Sequence, residues 1–143
     1  MFLGVDPGRQ KFGWALTEEN GNLCASGIVS FEQLDLFANA VALAPEKLCQ
    51  WRLEGELPSG IRIRKVFCGD GTGHAPFLRS LLPQGIDVEL IKERNTTLNA
   101  RALYWKLHPP LGLWRLVPLS LRVPPRPIDD LAACCIVHRA LQN

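Results

Sequence analysis

No apolar run in the sequence reaches the ~18–20 residues that a membrane-spanning helix needs, so no membrane partner is expected. The opening MFLGVDPG lacks a basic segment ahead of an apolar one, which argues against a secretory signal and makes the cytoplasm the expected compartment. No C-x-x-C pair is present. The five cysteines (Cys24, Cys49, Cys68, Cys134, Cys135) are odd in number and lie mostly among apolar residues. They read as reduced core thiols rather than as a disulfide framework or a structural zinc site. An excess of one charge is missing too. The net charge of +2 neither supports nor excludes a nucleic-acid partner, because catalytic acids offset basic substrate contacts. No internal repeat is visible.

What is present is an ordinary globular composition, 47% hydrophobic and 21% charged over 143 residues. One domain, residues 1–143, is expected to bury roughly two-thirds of its unfolded surface. Phe2 to Asp6 reads as a short apolar strand stopped by Pro7 and Gly8. Phe12 to Thr17 and Leu23 to Phe31 read as two more, with Glu19-Asn20-Gly21-Asn22 as the turn between them. Apolar residues recur near helical spacing from Glu32 to about Leu53, interrupted at Pro45, before a loop over Glu54 to Gly60. A buried strand over Val66 to Gly69, a short helix over Ala75 to Leu82 and a strand over Ile86 to Ile91 follow. Helices over Thr96 to Leu107 and Ile128 to Leu141 complete the order βββαβαβα. A meander followed by alternating helices and strands predicts a five-stranded mixed sheet with helices on both faces. The first strand would be central, antiparallel to the second and parallel to the fourth. Residues 108–127 hold six prolines with Trp114, Arg115, Arg122 and Arg126. They form either an arm packing Leu113, Trp114 and Leu116 onto the body or a substrate-contacting loop.

Four acids fall at element ends. Asp6 closes the first strand and Asp70 follows Val66-Phe67-Cys68-Gly69. As ends of parallel neighbours they are expected ~5 Å apart. Carboxylates that close repel unless a proton or a cation joins them, and hard Mg²⁺ or Mn²⁺ suits carboxylate oxygen. The competing reading is that each Asp only accepts hydrogen bonds in its own turn. Glu93 follows the strand ending at Ile91 and belongs to the same rim, with Thr96 or Thr97 capping the next helix. Asp129 and Asp130 open the last helix, where capping accounts for one and ligation for the other. The small residues Ala132-Ala133-Cys134-Cys135 would let that helix lie close to the sheet and bring Asp129 to the metal.

Phe2-Leu3-Gly4-Val5-Asp6-Pro7-Gly8, followed by Lys11, Gly13 and Ala15, resembles the first motif of the RuvC/YqgF group of Holliday-junction-resolvase-like nucleases. Glu93-Arg94-Asn95-Thr96-Thr97, with Ala100 beyond, is similar to the E-R-x-T-T motif of the YqgF branch. Ile128-Asp129-Asp130-Leu131-Ala132-Ala133 resembles the final motif of both branches. The resemblance implies an RNase H-like fold, a divalent-metal site and catalytic roles for Asp6, Glu93 and Asp129. Asp70 matches the RuvC branch better, which carries an acid at the end of its fourth strand. That branch also has an acid or a His three residues before its last Asp, where this chain has Arg126.

The expected reaction is hydrolysis of a phosphodiester, assisted by two ions ~4 Å apart, with Asp6 bridging both and Asp70, Glu93 and Asp129 completing the shells. Arg9, Lys11, Arg94, Arg101 and Arg126 are the candidates for holding phosphates. The nucleic acid is branched DNA or precursor rRNA (the pre-16S species); symmetric cutting of a junction would require a homodimer. The competing functions are a catalytically inactive nucleic-acid-binding module of the same fold and a phosphotransferase. The latter needs two lobes. His74, His108, His138 and the four tryptophans read as packing residues rather than as ligands or base platforms.

Overall fold

The computed structural model describes residues 1–94 and 96–143. Six strands form one mixed sheet: β1 (Phe2–Asp6), β2 (Lys11–Thr17), β3 (Leu23–Ser30), β4 (Arg52–Gly55), β5 (Lys65–Gly69) and β6 (Val88–Ile91). Their spatial order is β4-β3-β2-β1-β5-β6. The first strand is central as expected, antiparallel to β2 and parallel to β5, with β6 parallel beyond it. The helices are α1 (Leu34–Leu43), α2 (His74–Leu81), α3 (Thr96–Leu107) and α4 (Asp129–Gln142).

The sixth strand corrects the five-stranded expectation. Arg52 to Gly55 falls partly in the stretch read as loop, yet it pairs antiparallel with the edge of β3. Four residues with three exposed side chains carry almost no alternation signal. The pairing comes from the free edge of β3, and a 3₁₀ segment over Pro45–Trp51 delivers the chain to it.

Alternation along each strand sorts the sheet into two faces. Leu3 and Val5, Phe12, Trp14 and Leu16, and Val66 and Cys68 join Phe37, Leu48, Phe77 and Leu81 in one core under α1 and α2. Phe12 anchors it, with edge-to-face contacts to Phe37 at 4.9 Å and Phe77 at 4.5 Å between ring centroids. The other face is covered by α4, where Ala15 meets Ala133 and Cys134, and Phe67 meets Ile136 and Val137. Helix α3 packs outside α4 through Ala100, Tyr104, Leu131, Ala132 and Cys135.

The small residues of α4 are matched by glycines on the sheet. A Cβ at Gly4 would overlap the Ala133 carbonyl, and one at Gly13 would overlap the Asp129 carbonyl. The helix therefore rests on bare backbone. All cysteines are free, and Cys68, Cys134 and Cys135 are buried core residues. Burial pushes the Cys68 and Cys134 thiols up to about 12, which makes them inert.

Residues 108–127 run as an extended arm with two 3₁₀ turns, Gly112–Leu116 and Leu119–Leu121. Leu113 and Leu116 do not pack onto the body as the arm reading expected; each is 81% exposed. Polar contacts to α3 hold the arm instead. Arg101 donates to the Ser120 carbonyl at 2.9 Å and Trp105 Nε1 to the Arg122 carbonyl at 3.1 Å. Trp114 stacks on Trp105.

Gly13→Ala is expected to force α4 away from β2 and to lower stability by about 1–3 kcal/mol or more. A fall in the urea midpoint at unchanged slope would show it; an unchanged midpoint would mean the helix accommodates a methyl there.

Candidate active site

Asp6 follows Phe2 and Gly4 in alternation, so it belongs to the face that α4 covers. In the parallel register Val5 lies beside Cys68, which puts Gly69 beside Asp6 and Asp70 one residue farther along. Asp70 thus has the opposite parity. Its N–H donates to the Ile91 carbonyl at 3.0 Å, and its Oδ1 accepts the Glu93 N–H at 3.1 Å. The carboxylate is exposed and serves the backbone of Glu93.

The Glu93 carboxyl fills the space above Gly69. A Cβ at residue 69 would overlap Glu93 Oε1, and one at Gly71 would come within 3.0 Å of Oε2. Two glycines thus make the hollow that brings Glu93 across to Asp6. Asp129 arrives from the other side, on the first residue of α4. Asp6, Glu93 and Asp129 line one cleft of about 380 Å³ with Lys11, Thr96, Thr97 and Ile128. Asp70 is outside that lining.

The electrostatics of this group are strained. Burial, then the negative charges of Glu93 and Asp129, push the Asp6 carboxyl from an ordinary 3.8 up to about 8. Burial also raises Glu93, against the stabilising N–H of Gly71. Glu93 Oε1 is buried and accepts no hydrogen bond among the described residues. Two ionised carboxylates can only accept, so a shared proton or a cation is what joins Asp6 to Glu93. Asp129 has a partner, Lys11 Nζ, at 3.3 Å from its Oδ2. Among the described residues no three His, Cys, Asp or Glu side chains stand close enough to hold a metal ion as they are.

The basic residues divide by task. Arg9 is exposed beside Gly8, Gln10, Lys11 and Asp129 in a shallow depression next to the cleft. Lys11 lines the cleft itself. Arg94 is exposed and opens on the side of α3 turned away from the acids. Arg101 is tied to the arm. Asn95, the central residue of the second motif, lies outside the described residues, and with it the cap position of α3.

Arg126 is drawn into a buried network. Its guanidinium donates to both oxygens of Asp130, at 2.9 and 3.2 Å, and to Glu54 Oε1 at 2.8 Å. Asp130 has no exposed surface and also accepts from Ser26 Oγ at 2.7 Å. Capping accounts for neither Asp129 nor Asp130, because the cap residue of α4 is Ile128 and no side chain caps it. His108 Nε2 meets the same Glu54 oxygen at 2.6 Å. Both ends of the arm are therefore fastened to one carboxylate of β4. Glu54 was invisible to sequence reasoning because its strand was; Arg126 and Asp130 stand four residues apart, the spacing that could have revealed their pairing.

Superposition on solved structures matches the overall fold to a known one. RuvC of Thermus thermophilus in complex with Holliday junction substrate aligns over 95% of this chain and 88% of that chain, with TM-score 0.50 and 17% identity. A second Thermus thermophilus RuvC structure aligns over 96% and 91%, with TM-score 0.43 and 17% identity. No protein-family model matches the chain, and no curated protein matches it. The fold is RuvC-like, within the RNase H-like class.

Two expectations follow from the charges. Arg126→Ala leaves Asp130 buried without its counter-ion and is expected to cost about 3–5 kcal/mol in urea unfolding; a surface phosphate-binding arginine would lose almost nothing. For Asp6, a folded carboxyl titrating near 8 against an ordinary 3.8 destabilises the fold progressively as pH rises between those values. Metal-free Asp6→Asn should therefore melt higher than wild type at pH 8, the gap closing toward pH 4. Equal melting at pH 8 would contradict the strained pair.

Proposed function

We propose that this protein is a divalent-metal-dependent nuclease that hydrolyses phosphodiester bonds in structured nucleic acid, branched DNA or precursor rRNA. The observation that supports it is the Asp6–Glu93 pair: two carboxyls pressed together over a glycine hollow, with one buried oxygen that no donor reaches among the described residues. Oxygen donors of this kind suit Mg²⁺ or Mn²⁺. Asp6 and Glu93 would hold the metal, with Asp129 completing the set from α4. The metal, when bound, supplies Lewis acidity toward a phosphoryl oxygen and the attacking water.

The remaining residues prepare the site. Asp70 fixes the backbone of Glu93 and so orients its carboxyl. Lys11 holds Asp129 at the cleft and carries a positive charge to the place where a phosphate would lie. The α3 N-terminus, with Thr96 and Thr97 in the cleft wall, adds a field that favours an anion. Arg9 flanks the cleft as a phosphate contact, Arg94 stands beyond it on the far side of α3, and Arg101 and Arg126 serve the substrate through the arm they hold. Action in the cytoplasm and a homodimer for symmetric cutting belong to the same reading. Among the described residues no helix is long and apolar enough to cross a membrane.

The test combines a melting assay with a cleavage assay. Mg²⁺ or Mn²⁺ should raise the melting temperature of wild type but not of Asp6→Asn or Glu93→Gln. Cleavage of a four-way DNA junction, a structured RNA or precursor rRNA should fall on the order of a hundredfold in those variants, and roughly tenfold in Asp70→Asn. If wild type leaves every substrate uncut with either metal, the enzyme reading fails. Binding that survives in Asp6→Asn would then identify an inactive binding module.

A further inference from the structure

Helices α3 and α4 part on their outer side and leave a groove of about 380 Å³ beyond the acidic cleft. Arg94, Lys106 and Arg139 line it together with Asn99 and Gln142, and no carboxylate does so among the described residues. Leu103 and Cys135 form part of its lining beneath. Among the described residues none of the three cations makes an ion pair or a side-chain hydrogen bond. By contrast Lys11, Arg64, Lys65 and Arg126 are all paired with acids. Three positive charges without a partner among the described residues line one groove, and their summed field favours an anion there.

The form of the groove says what kind of anion fits. Thr96 and Lys106 line it ten residues apart on α3, which is about 15 Å along a helix. One phosphate cannot reach both ends, whereas a chain with a charge every few ångströms can. Among the described residues no Phe, Tyr or Trp lines the groove to serve as a platform for a base. His138 is occupied as a wall residue, its Nε2 donating to the Gly21 carbonyl at 2.8 Å. Recognition would go through backbone phosphates, without regard to base sequence. Thr96 lines both this groove and the acidic cleft, so the two are continuous around the start of α3.

We propose that the α3/α4 groove binds the sugar-phosphate backbone of the polynucleotide to one side of the acids, with Lys106 and Arg139 as contacts. This rests on the nuclease reading for the identity of the polymer. Lys106 and Arg139 set how tightly the strand is held and leave the acidic cleft unaltered.

Fluorescence anisotropy in EDTA tests it, with a labelled four-way DNA junction in one arm and a hairpin RNA in the other. Lys106→Ala/Arg139→Ala should bind about tenfold more weakly, and its slope of log affinity against log salt should be shallower by about 1.8, two phosphate contacts' worth. The charge-preserving Lys106→Arg/Arg139→Lys should stay within about twofold of wild type, which separates lost charge from lost folding. The arm that shows the drop identifies the polymer. If wild type binds and the alanine variant binds with the same affinity and slope, the groove proposal falls and the nuclease reading stands. If the variant loses binding while wild type cuts nothing, the groove stands and the nuclease reading falls. Wild type that binds neither polymer overturns both.

Discussion

Helix α4 lies on the sheet with no side chain between its Ala133 carbonyl and Gly4, or between its first turn and Gly13. Backbone against backbone is the closest approach two elements can make, and it needs small residues on both sides at once. Everything at the rim depends on it. Asp129 reaches the cleft because the N-terminus of α4 sits directly over β2, and Asp130, one residue on, is sealed completely from water by the same contact. A helix standing one methyl farther away would leave Asp130 half-solvated and Asp129 short of Asp6. The buried Arg126–Asp130 pair then sets the direction of the chain as it enters the helix, since a charge with no exposed surface tolerates only the geometry that neutralises it.

A second device of the same kind operates at the other side of Asp6. Gly69 has no side chain, and the Glu93 carboxyl occupies the vacancy. Strand β6 ends two residues before Glu93, so the carboxyl must reach back over β5 to meet Asp6. Asp70 makes that reach definite by accepting the Glu93 N–H. Two acids that looked like rivals for one task thus have different ones. Asp6 and Glu93 share a hollow, and Asp70 orients the second of them from outside. The likeness to RuvC extends to the fold; at 17% identity the arrangement of these acids stands on this chain's own geometry.

The proline-rich arm adds a third constraint of a different character. It carries exposed Leu113 and Leu116 and is anchored by polar contacts rather than by burial. His108 at its start and Arg126 at its end converge on Glu54, which fixes the arm's span while leaving its middle outside the core. Because the Arg126 end also grips Asp130, the arm and the N-terminus of α4 are held by one network.

Much of this was legible beforehand. The short apolar runs of β1 and β2, the turn signals between the first strands, the helical spacing of α1 and the small-residue run in α4 each encode a local preference that tertiary context did not overturn. So was the central place of the first strand, which follows from connection rules rather than from any residue. Strand β4 was not legible, because four mostly exposed residues have no periodicity and pair only when an edge is offered. Glu54 was hidden with it, and so was its bond to Arg126. Neither could the sequence choose between Asp70 and Glu93 as the partner of Asp6. Four acids at strand and helix ends are a property of composition and spacing, and sequence alone determined that they are there. Which of them meet was decided only by the tertiary structure, through a one-residue offset in the β1–β5 register and the empty volume above Gly69.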